Sequence, residues 1–157
     1  MADWTIRAAT RDDWPRIAGL LVAAELPLAG AEEHLECFIL VLGGDALLGC
    51  AALERYGWDG LLRSVAIAAE ARGQGLGQAL VHEALERARR EGLHTITLLT
   101  TTAAAFFPRF GFQAIARDAA PCAVQDSVEF REACPASATV LLLHVAQMGD
   151  PLPQYTR

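Results

Sequence analysis

A glycine-rich loop between a hydrophobic run and an amphipathic stretch constrains the fold of this chain more than any other feature. The loop covers residues 72–77 and follows the apolar residues 61–68. Beyond it, small or apolar residues recur at intervals of four and predict a helix to about residue 90: Leu76, Leu80, Ala84 and Ala88. Glycines let backbone amides turn toward a ligand, and a helix start adds N–H groups without helical partners. The segment therefore predicts a strand–loop–helix unit with an anion site, for which a closely packed glycine turn is the alternative.

Two common phosphate-binding motifs do not fit this loop. The P-loop requires Gly-Lys-Ser/Thr, and all thirteen basic residues of the chain are arginine. The dinucleotide fingerprint GxGxxG fails because Gln78 or Leu80 stands where the third glycine is needed. The next predicted strand ends in Leu99-Thr100, without a carboxylate for a ribose. Both nucleotide-binding classes are therefore excluded.

Turn residues and hydrophobic periodicity predict the element order βα(α)βββαβαβ(α)β. Thr10 is expected to cap the first helix with Asp13 as its partner, and Ser127 to cap a helical part of residues 119–134. Residues 149–157 contain two prolines and are expected to form a mobile tail. The prediction is one α+β domain over residues 1–148, with strands at 4–8, 37–42, 46–56, 61–68, 95–100, 112–117 and 138–144, and further helices at 10–24, 31–35 and 103–109.

The glycine loop resembles the acetyl-CoA motif of the Gcn5-related N-acetyltransferases (GNAT), written Arg/Gln-x-x-Gly-x-Gly/Ala, through Arg72, Gly75 and Gly77. Residues 103–112 resemble the family's A-x-x-F-Y-x-x-x-G-F segment, and the resemblance covers roughly residues 5–117. It implies a mixed, mostly antiparallel sheet flanked by helices, with splayed central strands at 61–68 and 95–100. It also implies acetyl-CoA as the cosubstrate.

The same resemblance assigns the cofactor-binding residues. Val65, Ala66 and Ile67 would hydrogen-bond the pantetheine arm, which would enter between the two splayed strands. Phe107 stands where many relatives have a tyrosine that acts as an acid; it cannot donate a proton, so we interpret it as a wall against the pantetheine or the core. The residues that would wrap the pyrophosphate are Arg72, Gly73, Gln74, Gly75, Leu76, Gly77 and Gln78.

Candidate catalytic and acceptor-binding residues lie on the predicted central strands. Glu54 is either a base or a solvated carboxylate on the outer face of the sheet. Arg63 interrupts an apolar strand, and a buried arginine must be paired, either with Glu54 or with a substrate carboxylate. Tyr56 either lines the acceptor pocket or packs. Thr101, with Thr100 and Thr102, supplies a hydroxyl for the acceptor or caps the following helix, and we expect one of the three to cap.

Several segments together resemble the arsenic-resistance N-acetyltransferase subfamily: residues 61–64, 98–103, 106–107, 129–130 and 134–138. The resemblance implies a small-molecule amine as acceptor, an amino acid or an amino-acid antimetabolite such as phosphinothricin or its arsenic analogue. Two other functions remain open. One is a thiol-based arsenic-binding protein that uses Cys122 and Cys134, and the other is a non-catalytic acyl-CoA-binding module, conceivable because of Phe107.

Composition limits the partners. The net charge is −6 and basic residues form no stripe, so nucleic acid is not expected as a partner. No apolar run is long enough to cross a bilayer and no signal peptide is visible, so a cytoplasmic location without membrane association is expected.

The four cysteines lack CxxC spacing, which predicts no metal site, and Cys37 and Cys50 are expected in the core. A homodimer is possible.

Overall fold

The computed structural model describes residues 3–133 and 135–145. These residues contain three α-helices, α1 (Trp14–Ala23), α2 (Leu76–Arg90) and α3 (Cys122–Gln125). Residues 149–157, predicted to be a tail, and Cys134 lie outside the described residues. The described part of the chain has seven strands: β1 (Thr5–Ala8), β2 (Phe38–Gly43), β3 (Ala46–Tyr56), β4 (Asp59–Ile67), β5 (Thr95–Thr100), β6 (Gln113–Ile115) and β7 (Thr139–His144).

The strands form one sheet in the order β1-β2-β3-β4-β5-β7-β6. β1 with β2, β2 with β3, β5 with β7, and β6 with β7 are antiparallel. β4 and β5 are parallel, and their ladder joins residues 59–61 to residues 95–97. A mostly antiparallel mixed sheet with helices confirms the predicted α+β class, and the strands follow in the predicted order, but the helix predicted between β5 and β6 is absent from the described residues.

Contacts divide the chain into two compact units. The first contains the described residues up to 54 together with 62–85, and the second contains residues 55–61 and those from 86 onwards. In the first unit, Ile17 and Leu21 of α1 belong to one buried cluster with Phe38 and Leu40 of β2. In the second, Leu61 and Leu99 belong to a cluster whose other members are Ala120, Val124, Phe130, Ala138 and Val140.

The predicted capping arrangement before α1 is present. The backbone N–H and the hydroxyl of Thr10 both donate to Oδ2 of Asp13, at 2.7 and 3.1 Å. Arg7 reaches both carboxylate oxygens of Asp13 at 2.8 and 2.9 Å, and Arg16 donates to Oδ1 at 2.8 Å. Hydrogen bonds from Arg7 are the largest cause of an Asp13 pKa held well below its usual range.

Two predicted helices are shorter turns. The predicted helix at residues 103–109 is only a 3-10 turn, Phe107–Phe110. Pro108 lacks an N–H and its ring blocks the preceding helical turn, and Gly111, at φ 104°, ends the segment. The predicted helix at residues 31–35 is a 3-10 turn, Glu32–Cys37, with a kink at His34. Among the described residues, no helix combines the length and apolar character needed to cross a membrane.

Candidate active site

The glycine-rich loop connects β4 to α2 as the sequence predicts. Gly73 and Gly75 have φ of 82° and 79°, the left-handed region that favours glycine. Apart from the glycine itself and its two neighbours in the chain, no described residue has an atom within 4 Å of a Cβ built on either glycine. The N–H of Ala79 donates to the carbonyl of Gly75 at 3.1 Å, which makes this the first helical hydrogen bond of α2. The loop therefore opens onto space at the amino end of a fifteen-residue helix.

The amino end of α2 carries backbone N–H groups that can donate hydrogen bonds to a ligand. Because the helical hydrogen bonds begin at Ala79, the N–H groups of Leu76, Gly77 and Gln78 have no acceptor within α2. Arg72 is exposed, and its Nε donates to the carbonyl of Ile67 at 3.3 Å, which ties the guanidinium to the end of β4. Open backbone donors, a helix dipole and one arginine together form a suitable cradle for an anion.

Gly49 sets how closely β3 approaches β4 and α2, and no motif in the sequence singles it out. A Cβ at Gly49 would lie 2.6 Å from Cδ1 of Ile67, 3.0 Å from the carbonyl oxygen of Ala66 and 3.1 Å from Cδ1 of Leu80. A glycine inside a strand is the sequence signal that could have found it, since such glycines often mark close approach of another backbone. Gly49 thus allows the packing that positions the strand end from which the loop departs.

Arg63 and Glu54 form a buried ion pair. Their side chains are 1% and 2% exposed, and Nη1 of Arg63 lies 3.4 Å from Oε2 of Glu54. Nε donates to the hydroxyl of Ser64 at 3.2 Å, and Nη2 donates to the carbonyl of Pro27 at 3.3 Å. The interpretation of Glu54 as a solvated carboxylate is therefore wrong, because its neighbours on β3 and β4 remove it from water. The predicted pairing of Arg63 with Glu54 is confirmed.

Ser64 is a second residue that the sequence did not reveal. Its φ is 58°, inside strand β4, where a residue with a side chain costs about 1–3 kcal/mol. Two contacts hold this conformation: Arg63 donates to its hydroxyl, and the thiol of Cys50 lies 3.3 Å from its carbonyl oxygen. A left-handed residue interrupts the alternation of a strand, so Ser64 redirects the backbone just before Val65 and Ile67. Those two residues are half-buried, and Ala66 between them is buried.

The three described thiols differ in their surroundings, and none of them forms a disulfide with another described cysteine. Cys50 is fully buried, and desolvation raises its pKa to about 12, so it carries no thiolate at neutral pH. Its predicted place in the core is confirmed. Cys37 is half-buried rather than in the core, because it ends a turn before β2, and Cys122 is exposed at the start of α3.

The second unit holds the other predicted site residues. Phe107 is 5% exposed and meets Phe106 and Phe112 edge to face, with ring centroids 5.1 and 5.8 Å away. The hydroxyl of Thr100 accepts the N–H of Ala103 at 2.9 Å. The expectation that one threonine caps the following helix is wrong, because the 3-10 turn found there begins at Phe107 and has no side-chain cap. Thr101 is exposed, and Tyr56 is half-buried against the apolar cluster of this unit. Ser127 accepts the N–H of Phe130, as its predicted capping role requires.

A mixed sheet followed by a glycine cradle at the start of a long helix defines a class of domain that binds an anionic cofactor at a strand–helix junction. The comparison with known families identifies the class. Residues 33–114, more than half of the chain, match the family described as acetyltransferase (GNAT) domain. The chain therefore belongs to the GNAT acetyltransferases, for which acetyl-CoA is the typical cosubstrate.

Relatives within this family include enzymes named for amino acids. The chain is 31% identical over 126 residues to an amino-acid acetyltransferase of Neisseria meningitidis, covering 74% of this chain and 29% of that protein. The chain thus spans less than a third of that relative's length.

Solved structures extend the similarity in fold. N-acetylglutamate synthase from Neisseria gonorrhoeae, complexed with coenzyme A and N-acetyl-glutamate, superposes with a TM-score of 0.80 at 24% identity, covering 94% of this chain and 36% of that one. Rv2747 from Mycobacterium tuberculosis, in complex with CoA and NLQ, has a TM-score of 0.77 at 25% identity, covering 90% and 99%.

Proposed function

We propose that this chain transfers the acetyl group of acetyl-CoA to the amine of a small molecule, an amino acid or an amino-acid-like antimetabolite. The observation that carries the proposal is the open glycine cradle at the start of α2, in a chain 31% identical to an amino-acid acetyltransferase over 126 residues. Residues 1–148 are proposed as the acetyltransferase domain. The cytoplasmic location and a homodimer stay predictions from the sequence.

The cofactor is proposed to lie along β4 and the loop. Backbone groups of Val65, Ala66 and Ile67 suit the amides of pantetheine, because the ladder with β5 uses only residues 59–61 of β4. The pyrophosphate suits the open donors of the loop and the guanidinium of Arg72. The residues proposed for it are Arg72, Gly73, Gln74, Gly75, Leu76, Gly77 and Gln78.

The reaction needs a neutral amine held at a thioester. The amine lone pair attacks the carbonyl carbon, the C–S bond breaks, CoA leaves as a thiolate, and the new amide nitrogen loses a proton. Phe107 cannot protonate the thiolate, and its burial among aromatic rings supports a packing role beside the proposed contact with the cofactor. We therefore expect orientation of the amine to supply most of the acceleration, which can amount to about 7–11 kcal/mol.

The Arg63–Glu54 pair is proposed to position β4. It holds Ser64 in its left-handed conformation next to the proposed pantetheine residues, and the burial of both side chains supports this role. Glu54 as a base, and Arg63, Tyr56 and Thr101 as acceptor-binding residues, remain predictions. A direct contact of Arg63 with an acceptor carboxylate would replace the 3.3 Å hydrogen bond to Pro27.

Turnover with an acceptor panel tests the function. The panel contains α-amino acids, their phosphinate- and arsinate-bearing analogues, and alkylamines of matched size without a carboxylate. Products are followed by mass spectrometry, because the exposed thiol of Cys122 would react with thiol reagents. We expect α-amino acids to outcompete the alkylamines. Binding of acetyl-CoA without acetylation of any acceptor would instead favour the non-catalytic acyl-CoA-binding module.

Variants of the buried pair separate positioning from acceptor binding. Arg63→Ala should lower the free energy of unfolding by about 3–5 kcal/mol, because a buried carboxylate loses its guanidinium partner. If Arg63 binds the acceptor carboxylate, Arg63→Lys raises the acceptor KM while Glu54→Gln leaves it unchanged. If the pair only positions β4, both variants lower the melting temperature and spare the acceptor KM. Acceptor kinetics and thermal melts on the same preparations distinguish these results.

A further inference from the structure

A second cluster of chemically active side chains lies on the 3-10 turn Glu32–Cys37, outside the residues proposed for the reaction. An imidazole nitrogen of His34, a carboxylate oxygen of Glu36 and Sγ of Cys37 all lie within 4.8 Å of one another. The kink at His34, with φ −115° and ψ 32°, interrupts the turn inside this group. Nitrogen, oxygen and sulfur donors therefore converge.

The donor set selects the kind of ion. Zn²⁺ takes cysteine sulfur, histidine nitrogen and carboxylate oxygen, whereas Mg²⁺ and Ca²⁺ prefer oxygen ligands alone. With metal–ligand bonds of about 2.0–2.3 Å, the ligand atoms of one tetrahedral Zn²⁺ lie roughly 3–4 Å apart. Side-chain rotations that move the ligand atoms by about an ångström would therefore bring all three within bonding distance of one ion. We infer that His34, Glu36 and Cys37 form a binding site for a thiophilic divalent cation, of which Zn²⁺ is the representative.

Charge and exposure in this part of the chain favour a cation. Between Arg16 and Arg55 the sequence contains no arginine or lysine, and its acidic residues include Glu32, Glu33 and Glu36. His34 and Cys37 are half-buried and Glu36 is exposed, so an ion at the cluster is reached from solvent. Three protein ligands leave a fourth position for water. The site is thus open and exchangeable rather than a closed structural zinc site.

The segment that carries His34, Glu36 and Cys37 follows Pro27, which contacts the buried Arg63–Glu54 pair. The segment that carries the three ligands begins beyond Pro27, whose carbonyl accepts the hydrogen bond from Arg63, and it ends at Phe38, the first residue of β2. An ion that joins residues 34, 36 and 37 would fix the end of this connection next to a fully buried phenylalanine. Bound Zn²⁺ should therefore raise the melting temperature, because it binds the folded arrangement of ligands.

Direct titration with Zn²⁺ tests the site without acetyl-CoA or acceptor, so its outcome is independent of the proposed function. Protein freed of any affinity tag is titrated in competition with a chromophoric chelator, and Cd²⁺ is added separately to record the ultraviolet charge-transfer band of a thiolate–metal bond. We expect one ion per chain. Cys37→Ser and His34→Gln should each weaken binding roughly tenfold or more, since each removes a direct ligand.

Two controls keep the test decisive. Cys122→Ser removes an exposed thiol elsewhere and should leave Zn²⁺ affinity unchanged. Glu36→Gln changes an exposed residue, so it should fold normally and still weaken binding, even if Cys37→Ser proves unstable. The inference is overturned if wild-type protein binds no more Zn²⁺ than the His34→Gln, Cys37→Ser double variant, or if Cys122→Ser removes the binding as completely as Cys37→Ser.

Discussion

Replacement of Gly75 by valine tests the glycine cradle, and Gly44 offers a matched control. Gly75 has φ 79° and Gly44 has φ 60°, and apart from the two neighbours in the chain no described residue has an atom within 4 Å of a Cβ at either position. Gly44 belongs to the turn between β2 and β3, whereas Gly75 precedes α2. The two substitutions therefore impose the same kind of backbone strain, at least about 1–2 kcal/mol, and the added Cβ meets open space at both positions.

The expected consequences differ only in cofactor binding. For a chain of this size each kcal/mol shifts the melting temperature by about 2–4 °C, so both variants should melt roughly 2–8 °C below wild type. CoA at a hundred times its Kd should stabilise wild type and Gly44→Val by about 2.7 kcal/mol, a rise of roughly 5–10 °C. Gly75→Val should show no such rise, because its side chain occupies the place proposed for the pyrophosphate.

Thermal melts with and without CoA, supported by calorimetric titration, measure both effects. Wild-type CoA affinity in Gly75→Val would refute the assignment of the loop. Equal loss of CoA affinity in Gly44→Val would also refute it, because strain alone would then account for the result.

Asp13→Asn should lower the free energy of unfolding by about 2 kcal/mol at pH 7, since it weakens charge-assisted hydrogen bonds to a buried carboxylate. The folded pKa of Asp13 is depressed, so the difference from wild type should persist above about pH 4 and shrink as the pH falls below it; urea titrations that show a pH-independent difference would contradict this. Gly49→Ala should cost about 1–3 kcal/mol in denaturant titrations, because the new Cβ would lie 3.0 Å from a backbone oxygen, and an unchanged midpoint would show that β3 can shift. Phe107→Tyr should lower stability by about 1–3 kcal/mol, because it places a hydroxyl among aromatic rings, and should leave kcat no higher; activity confined to this variant would favour the non-catalytic module.

Local patterns predicted the elements of this chain well because their causes are local. The helix bounds around α2 follow from its four-residue apolar spacing and the glycines on either side of it. β3 and β5 have the predicted bounds because turn residues delimit them. The helix predicted at residues 103–109 failed because apolar composition was given more weight than Pro108, whose effect on a helix is also local.

The candidate site was only partly predictable. The cradle was found because a glycine motif carries its own conformational requirement, which Gly73 and Gly75 meet at φ 82° and 79°. The His34, Glu36 and Cys37 cluster was missed because its spacing lacks the CxxC pattern of familiar zinc sites, and only the kinked turn brings the three side chains together.

The sequence by itself determined the order of the strands, the glycine cradle and the membership in the acetyltransferase class, since each rests on residues close together in the chain. Only the tertiary structure decided whether the Glu54 carboxylate is exposed to solvent or buried. The sequence was compatible with a solvated carboxylate and with a base in the site. Pairing of β3 with β4 places it against Arg63, nine positions away, and neighbouring strands exclude water from both. The left-handed Ser64 has the same origin: nothing local favours φ 58° for a serine in a strand, and only contacts from Arg63 and Cys50, formed by the folded sheet, hold it there.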